Sequence, residues 1–502
     1  MLEGLLHLAG AFAVFANFET LFNVCWATFI GIVIGALPGL TATMGVALLT
    51  TLTYKMDSSQ AILVLIAVYV GAIYGGSRSA ILLNIPGTPA NAATTLDGFP
   101  LARKGLAGEA MGLATSASVV GTLIGVLFLT AIAPLLAEFA LSFGSYEYFW
   151  LAIFGVVIAG QMTAFEDPLK GWIAGFLGLL VAMVGQEGIH AEPRFHFGST
   201  EIAGGIGLIP ALVGTFGLAE VLSVMKGRAA EMATRTVDRV LPHTREMWRY
   251  KRTIARSGII GTIVGIIPGV GEDIGAWISY AAARRASKER DQFGKGSREG
   301  LIAAETGNNA AIPGALIPAL TLAVPGSAPA AVLLAAMLIH GLRPGPMIMI
   351  EAPDFVFQVV WMVVLATIAM GIFGLLLTRP LLFVLQVPRE RLMPIVFVLC
   401  VIGPYAITQR LFDVYVMVFF GVVGFVLREM KYPMAPLVLG IILGDILDKN
   451  LRRALVLSDG DLTPFFMRPI SAVLWITTLL VVVLALPPVQ RAMTRFMRWD
   501  NP

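Results

Sequence analysis

Two apolar stretches of this chain are interrupted in the same way. Residues 31–45 read GIVIGALPGLTATMG and residues 261–275 read GTIVGIIPGVGEDIG. At an offset of 230, Gly31, Gly35, Pro38, Gly39 and Gly45 fall on Gly261, Gly265, Pro268, Gly269 and Gly275. Proline removes a backbone donor and glycine admits unusual φ, so each stretch reads as a helix that stops and restarts. The composition says in what solvent: 57% of the 502 residues are hydrophobic, 13% are charged and mean hydropathy is +0.82. Soluble domains carry about 25% charged residues. Apolar runs long enough to span a bilayer recur from end to end, at about 20 residues each. The fold expected is an all-α polytopic membrane protein of about 10–12 transmembrane helices plus re-entrant or broken helices. A β-barrel would show short alternating segments. Open backbone at membrane depth is tolerated only where it is buried in protein or lines a cavity. Broken segments at matching places in two halves therefore point to the binding site of a secondary transporter.

Loop charge orients the segments, because Lys and Arg concentrate in cytoplasmic loops. Residues 226–256 carry Lys226, Arg228, Arg235, Arg239, Arg245, Arg249, Lys251, Arg252 and Arg256, and residues 284–298 carry Arg284, Arg285, Lys288, Arg290, Lys295 and Arg298. The segment between them, about 257–283, has basic flanks on both sides and so reads as a hairpin that dips in from the cytoplasm and returns. Loops 137–147 and 187–205 are acidic (Glu138, Glu147, Glu187, Glu192, Glu201) and are expected outside. Arg103 and Lys104 place 97–109 inside. The first hairpin, about 20–53, then enters from outside, with a cytoplasmic N-terminus and a basic cytoplasmic C-terminal tail. Hairpins entering from opposite faces describe an inverted-topology repeat. The expected division is 1–205 for the first repeat, 206–465 for the second, and 466–502 for a last helix and the tail.

A second matched pair follows the hairpins, as broken segments of about 60–95 and about 300–340. Residues 71–91 read GAIYGGSRSAILLNIPGTPAN and residues 310–330 read AAIPGALIPALTLAVPGSAPA. At an offset of 239, Gly75, Pro86, Gly87 and Thr88 fall on Gly314, Pro325, Gly326 and Ser327. A hydroxyl after Pro-Gly can cap the next half-helix, and the open N–H groups there, with the helix dipole, favour an anion. Gly-rich apolar segments are also plain helix-packing faces, and both readings can hold together.

These stretches resemble a known family. The run YGGSRSAILLNIPGTPANAATTLDGFPLARKG, with GALPGLTATMG before it and GIIPGVGEDIGAW after it, is similar to the large membrane (TctA-type) subunit of the tripartite tricarboxylate transporters, and the resemblance covers nearly the whole chain. It implies a secondary transporter of the bacterial inner membrane. Its partners would be a small four-helix membrane subunit and a periplasmic solute-binding protein that delivers a carboxylate. Uptake would be driven by an ion gradient, Na⁺ or H⁺, with no other cofactor.

The candidate substrate contacts are Gly39, Thr41, Ser77, Arg78, Asn84, Gly87, Thr88, Gly269, Gly271, Gly326 and Ser327. Arg78 is a charge inside an apolar run, which marks a pathway or a pair. Its planar fork can hold a carboxylate at two points. It can equally be the structural partner of a carboxylate such as Glu305, or snorkel to an interface. Its counterpart in the second half is Ile317. Glu272 and Asp273, where the first half has Ala42 and Thr43, are candidates for ion coupling together with Asn308 and Asn309. Carboxylates and unwound carbonyls suit a hard cation, and a buried acid can carry a proton. The plainer role of the two acids is to cap the returning half-helix. Asp97, Arg103 and Lys104 read as fixing the turn of their own loop.

Other function classes find little support. There is no phosphate-binding loop, no HExxH and no GxSxG, so no enzyme is expected. Basic residues lie in loops between apolar runs and give no nucleic-acid surface. Cys25 and Cys400 lie in apolar runs and read as buried small side chains. His190 and His196 read as solvated loop residues. The N-terminal stretch lacks a basic start and reads as an uncleaved helix. A channel or a stand-alone anion symporter without partner subunits remains the rival reading. An elevator motion suits the paired hairpin tips better than rocking.

Overall fold

The computed structural model describes residues 2–37, 39–163, 167–226, 240–241, 244–377, 389–486 and 489. Pro38, the loop cations Arg228, Arg235 and Arg239, and the basic C-terminal tail lie outside the described residues. The rest is helical, apart from one two-residue β pair. Among the described residues, seven helices are long and apolar enough to cross a membrane, and four shorter apolar helices accompany them. The chain is a multi-pass α-helical membrane protein. It divides into two compact units, residues 1–140 with 209–426, and 141–208 with 427–502.

The first unit begins with α1 (Leu2–Phe15), α2 (Phe18–Ala36), α3 (Ala42–Thr53) and α4 (Ser58–Leu83). A 3₁₀ turn (Pro89–Asn91), α5 (Ala92–Arg103) and α6 (Ala107–Ala140) follow. Burial does not follow apolar content, since α6 is the more apolar of the two longest helices and α4 the more buried. The most apolar window of α4 is 94% buried and that of α6 only 33%, so α4 is a central helix and α6 keeps one face outward. In this protein an outward apolar face is what a lipid solvent requires.

After the second unit's first segment, the first unit resumes with the run 208–226. This run divides into α10 (Leu208–Leu212), a π-helical turn (Val213–Leu218) and α11 (Ala219–Lys226). Neighbouring helices come close along this turn: a Cβ at Gly214 would stand 2.3 Å from the Met417 carbonyl oxygen and one at Gly217 2.6 Å from Cys400 Sγ. Such π turns often accompany functional positions. Then come α12 (Thr244–Arg249), α13 (Lys251–Ile266), α14 (Gly271–Ala286), α15 (Arg298–Leu322), α16 (Ala328–Ile339), α17 (Ile348–Glu351), α18 (Pro353–Leu376), α19 (Arg389–Thr408) and α20 (Leu411–Glu429). Helix α15 is buried along nearly its whole length although it contains Pro313 and Pro318. Pro313 is accommodated at Gly125 of α6, where its Cγ would lie 2.7 Å from an added Cβ.

The second unit contains α7 (Ser145–Thr163), α8 (Pro168–Ala182), the β pair Gly185–Gln186 with Pro193–Arg194, the short α9 (Thr200–Ala203), α21 (Met434–Leu457), α22 (Thr463–Met467) and α23 (Pro469–Ala485). Its helices meet through glycines: added Cβ atoms at Gly178 and Gly440 would stand 2.0 Å and 2.1 Å from the carbonyls of Leu437 and Gly175. Van der Waals packing of small residues replaces the hydrophobic drive that lipid cannot supply. Helix α21 ends in a charged stretch on which Asp445–Lys449 and Asp448–Arg452 form ion pairs four residues apart. Glu147 is buried and satisfied by Gly144 N (2.7 Å), Arg468 Nε (2.9 Å) and Ser471 Oγ (2.8 Å).

Candidate functional site

The paired breaks form where the Pro-Gly steps stand. Helix α2 ends at Ala36 and α3 starts at Ala42, and α13 ends at Ile266 with α14 starting at Gly271. Gly39 (φ +99°) and Gly269 (φ +73°) turn the chain through conformations a side chain resists. Helix α4 stops at Asn84 (φ +55°) and α15 at Ala323 (φ +56°), again at matched positions.

The two sets also pack alike. An added Cβ at Gly31 would stand 2.5 Å from the Val68 carbonyl oxygen, at Gly35 1.9 Å from that of Ala72, and at Gly75 2.3 Å from that of Ile32. The second set is Gly261 on Gly307 (2.1 Å), Gly265 on Ala311 (2.4 Å) and Gly314 on Thr262 (2.5 Å). Every contact of the first set maps onto one of the second by the offsets of 230 and 239 read from the sequence. The turn glycines behave the same way. Gly87 lies on the Gly35 carbonyl and donates its N–H to Gly76 O, and Gly326 lies on the Gly265 carbonyl and donates to Ala315 O, both at 3.4 Å. The glycine pattern is thus a packing code that seats each Pro-Gly turn in its own hairpin.

The half-helix starts use their hydroxyls differently. Thr41 Oγ1 accepts from Met44 N (3.2 Å) and Ser327 Oγ from Ala330 N (3.4 Å), so both cap. Thr88 makes no side-chain cap and donates instead to Asn91 Oδ1 (2.6 Å). No side-chain cap closes α14, whose N-cap is Val270. The buried Glu272 carboxylate accepts from Ser327 Oγ (3.1 Å), which also meets Tyr69 OH at 2.8 Å. Gly271 is the close neighbour there, since its Cβ would stand 2.5 Å from Ser327 Cβ. Tyr69, Ser327 and Glu272 therefore join α4 of the first half to the second hairpin and the second break. Asp273, beside Glu272, is partly exposed.

A second buried polar cluster surrounds Glu305. Its Oε1 accepts from Thr94 Oγ1 (2.5 Å) and Asn91 Nδ2 (3.3 Å), and its Oε2 from Ser118 Oγ (3.0 Å). Asn309 Nδ2 lies 3.0 Å from Ser118 Oγ and 2.7 Å from Asn308 Oδ1, while Asn309 Oδ1 has no partner. Asn308 donates to Ala90 O at 3.2 Å. The first break is thereby tied through Thr88 and Asn91 to an acid on α15.

Arg78 is 1% exposed, so it does not snorkel. Its Nη2 donates to Thr115 Oγ1 at 2.6 Å, and its guanidinium lies 4.6 Å from the Tyr74 ring centroid. Among the described residues Nε and Nη1 have no hydrogen-bond partner, and no salt bridge joins Arg78 to Glu305. Thr115 and Ser118 sit one turn apart on α6, so Arg78 and Glu305 share one polar stripe. Ser77 spends its hydroxyl on Tyr74 O (2.7 Å), and Asn84 is the exposed cap of α4.

One sequence expectation changes, and one neighbour is added. Asp97 does not fix its own turn: it holds the remote loop before α15, with Oδ1 accepting from the N–H groups of Gly294, Gly296 and Ser297. Glu220, on α11, lies against the first hairpin tip, where its carboxylate would meet a Cβ at Gly39. Glu220, Tyr69, Thr94, Thr115 and Ser118 are site neighbours that sequence reading passed over. Glu220 had a signal, a charge within an apolar run, as did the Thr115, Ser118 and Thr122 spacing along α6.

The chain matches the model of the tripartite tricarboxylate transporter TctA family over residues 21–439. It is 34% identical over 470 residues to an uncharacterised 52.8 kDa protein of the TAR-I ttuC′ 3′ region of Agrobacterium vitis, covering 93% of each chain. It is also 34% identical over 228 residues, 45% of this chain and 94% of the relative, to an uncharacterised protein of the TAR-II ttuC′ 3′ region of the same organism. No solved structure matches.

Proposed function

The chain belongs to the tripartite tricarboxylate transporter TctA family, and from that premise we propose that it is the large permease subunit of a binding-protein-dependent secondary transporter. It would import a carboxylate anion across the bacterial inner membrane. A periplasmic solute-binding protein would deliver the anion, and a small four-helix membrane subunit would accompany the permease.

The observation that carries the reading is that the hydroxyls of the second matched pair of breaks connect to buried carboxylates, Ser327 directly to Glu272 and Thr88 through Asn91 to Glu305. Half-helix starts at Thr41, Thr88, Gly271 and Ser327 supply N–H groups and dipole ends suited to an anion. A nearby acid that exchanges its hydroxyl partner for a cation or a proton would couple substrate to ion. In this scheme Gly39, Gly87, Gly269 and Gly326 let backbone approach the substrate. Arg78 offers Nε and Nη1 to a carboxylate, and Glu272, Asp273, Asn308 and Asn309 belong to the ion. The hairpins enter from opposite faces and move as an elevator.

The test is uptake of radiolabelled citrate and of a dicarboxylate panel by vesicles holding the chain with its partner subunits, with Na⁺ and proton gradients imposed separately. Saturable uptake that collapses with one gradient is expected. Flux that never saturates and survives loss of both gradients would establish a pore instead. Arg78→Lys removes the two-point fork and is expected to cut uptake per folded protein by about 10–100-fold, the value of one charge-assisted hydrogen bond of about 1.5–3 kcal/mol. Glu272→Gln is expected to change the ion-concentration curve, and an unchanged curve would return Glu272 to a structural role.

A further inference from the structure

A second feature of the first unit lies apart from the breaks. A cavity of about 610 Å³ is walled by α6, α18 and the α12–α13 corner, with Val119, Ile124, Met247, Ile254, Gly371 and Leu375 among its lining. That volume suits an organic ligand, since ligand sites run about 300–1,000 Å³. Its walls are mostly aliphatic, with Thr115, Ser116, Thr244, Lys251 and Thr367 as the polar lining. The hydroxyl of Thr115 donates to Met111 O (2.8 Å) and receives Arg78, and that of Thr367 donates to Val363 O (2.6 Å), so both are spent within the protein.

The rim has a direction. Ile368 and Ile372 line the cavity and are themselves 52% and 48% exposed, so on one side it opens onto an apolar outer surface. At the other end stand Trp248, 73% exposed, and Lys251, whose Nζ lies 4.2 Å from the Trp248 ring centroid. Lys251, Arg252 and Arg245 are exposed and form no salt bridge among the described residues. An amphipathic tryptophan beside unpaired cations is how proteins meet the headgroup level of a membrane. An apolar slot, an apolar mouth and an end with three cations in excess, Glu246 there being taken by Arg249, match one ligand class, a phospholipid with an anionic headgroup. A helix of a partner protein would instead fit a shallow stripe of small residues.

We propose that this cavity binds one anionic phospholipid, with an acyl chain between α6 and α18 and the headgroup on Lys251 and Arg252. The inner end of the chain would rest at Thr115, the hydroxyl that holds both Arg78 (2.6 Å) and Tyr74 (2.7 Å). The lipid would therefore brace the helix face on which Arg78 depends, whatever Arg78 itself binds.

Native mass spectrometry and thermal unfolding of the detergent-purified, delipidated chain test this, with dioleoylphosphatidylglycerol and dioleoylphosphatidylcholine as probes. Retention of one phosphatidylglycerol per chain with a raised unfolding midpoint is expected, with phosphatidylcholine at least several-fold weaker. Lys251→Gln is expected to weaken phosphatidylglycerol about fivefold, the contribution of one cation near an anionic headgroup, and to leave phosphatidylcholine unchanged. Val119→Phe, which fills the slot, is expected to abolish retention of both; Leu375→Trp at the rim serves if that variant does not fold. Equal binding of the two lipids, retention indifferent to Lys251→Gln, or retention that survives filling of the slot would overturn the proposal. So would a co-purifying protein that protects the cysteine of Val119→Cys from alkylation while no lipid is retained.

Discussion

Replacing Asp97 tests whether a single carboxylate fastens the first half to the start of α15. Its Oδ1 accepts three N–H groups, from Gly294 (2.8 Å), Gly296 (2.9 Å) and Ser297 (2.7 Å), and its Oδ2 accepts from Tyr280 OH (2.9 Å). Asp97 and Ser297 are buried, whereas Gly294 is exposed. In Asp97→Ala the Ser297 N–H and the Tyr280 hydroxyl stay buried without partners, at about 1–3 kcal/mol each, while Gly294 and Gly296 recover water and lose about 0.5–1.5 kcal/mol each. The desolvation of the carboxylate itself is relieved, which offsets part of this and leaves a net loss of about 3–5 kcal/mol. Asp97→Asn keeps an oxygen for the three N–H groups but makes them neutral bonds, at roughly half the strength, for a loss of about 1–2 kcal/mol. The assay is denaturant unfolding in detergent together with alkylation of a cysteine placed at the exposed Lys295. The expected order is wild type, Asp97→Asn, Asp97→Ala, with alkylation accelerating in the same order. An Asp97→Ala protein that unfolds with the wild type and shields position 295 equally would refute the tie.

Two further outcomes follow from packing and charge. Gly35→Ala and Gly265→Ala would place a Cβ 1.9 Å and 2.4 Å from the backbone oxygens of Ala72 and Ala311, whereas Gly10 has open space. Alanine gains about 1 kcal/mol of helix propensity at each, but overpacking costs about 1–3 kcal/mol or more at the first two, so their thermal midpoints should fall while that of Gly10→Ala holds or rises. For Asp448, burial alone would raise the carboxyl pKa, but Arg194, at 3.0 Å and 2.9 Å, and Arg452 outweigh it and hold it below the ordinary value. A depressed acid stabilises the fold fully above its unfolded pKa of about 3.9 and loses that contribution as pH falls below it. A melting series from pH 7 to pH 3 should therefore show an acid-side loss that is smaller in Asp448→Asn.

The breaks were legible in the sequence because proline and glycine act through the backbone itself, and backbone effects stay where their residues are. The offsets of 230 and 239 were legible for the same reason, and they recur atom for atom in the glycine contacts. Partners were less so. Asp97 stands about 200 residues from the three N–H groups it holds, and nothing in its own neighbourhood signals them. Tyr69 is one aromatic in an apolar run, and only the fold brings its hydroxyl to Ser327. Arg78 was visible as a costly charge, and Tyr74, four residues before it on α4, was within reach of helical spacing, but that Thr115 would be its partner depended on how α4 turns against α6.

The frame repeats, but the charges on it do not. Subtracting the same offsets from Glu272 and Glu305 gives Ala42 and Ile66, and adding 239 to Arg78 gives Ile317. Ile66 and Ile317 are as fully buried as Glu305, so the duplicated packing accepts an apolar or a charged residue at the same place. Packing therefore does not require these charges. A buried charge that the fold does not need still carries its desolvation cost, and such groups persist at membrane depth where function uses them. The carboxylates belong to the second half, and each is hydrogen-bonded, directly or through Asn91, to the hydroxyl of a different break. An ion that displaced either hydroxyl would release a half-helix start at one break, while the glycine seats that hold the hairpin and the turn together stayed in place. That division, with a repeated backbone for shape and one-sided acids for response, is what the proposed coupling of substrate to ion would rest on.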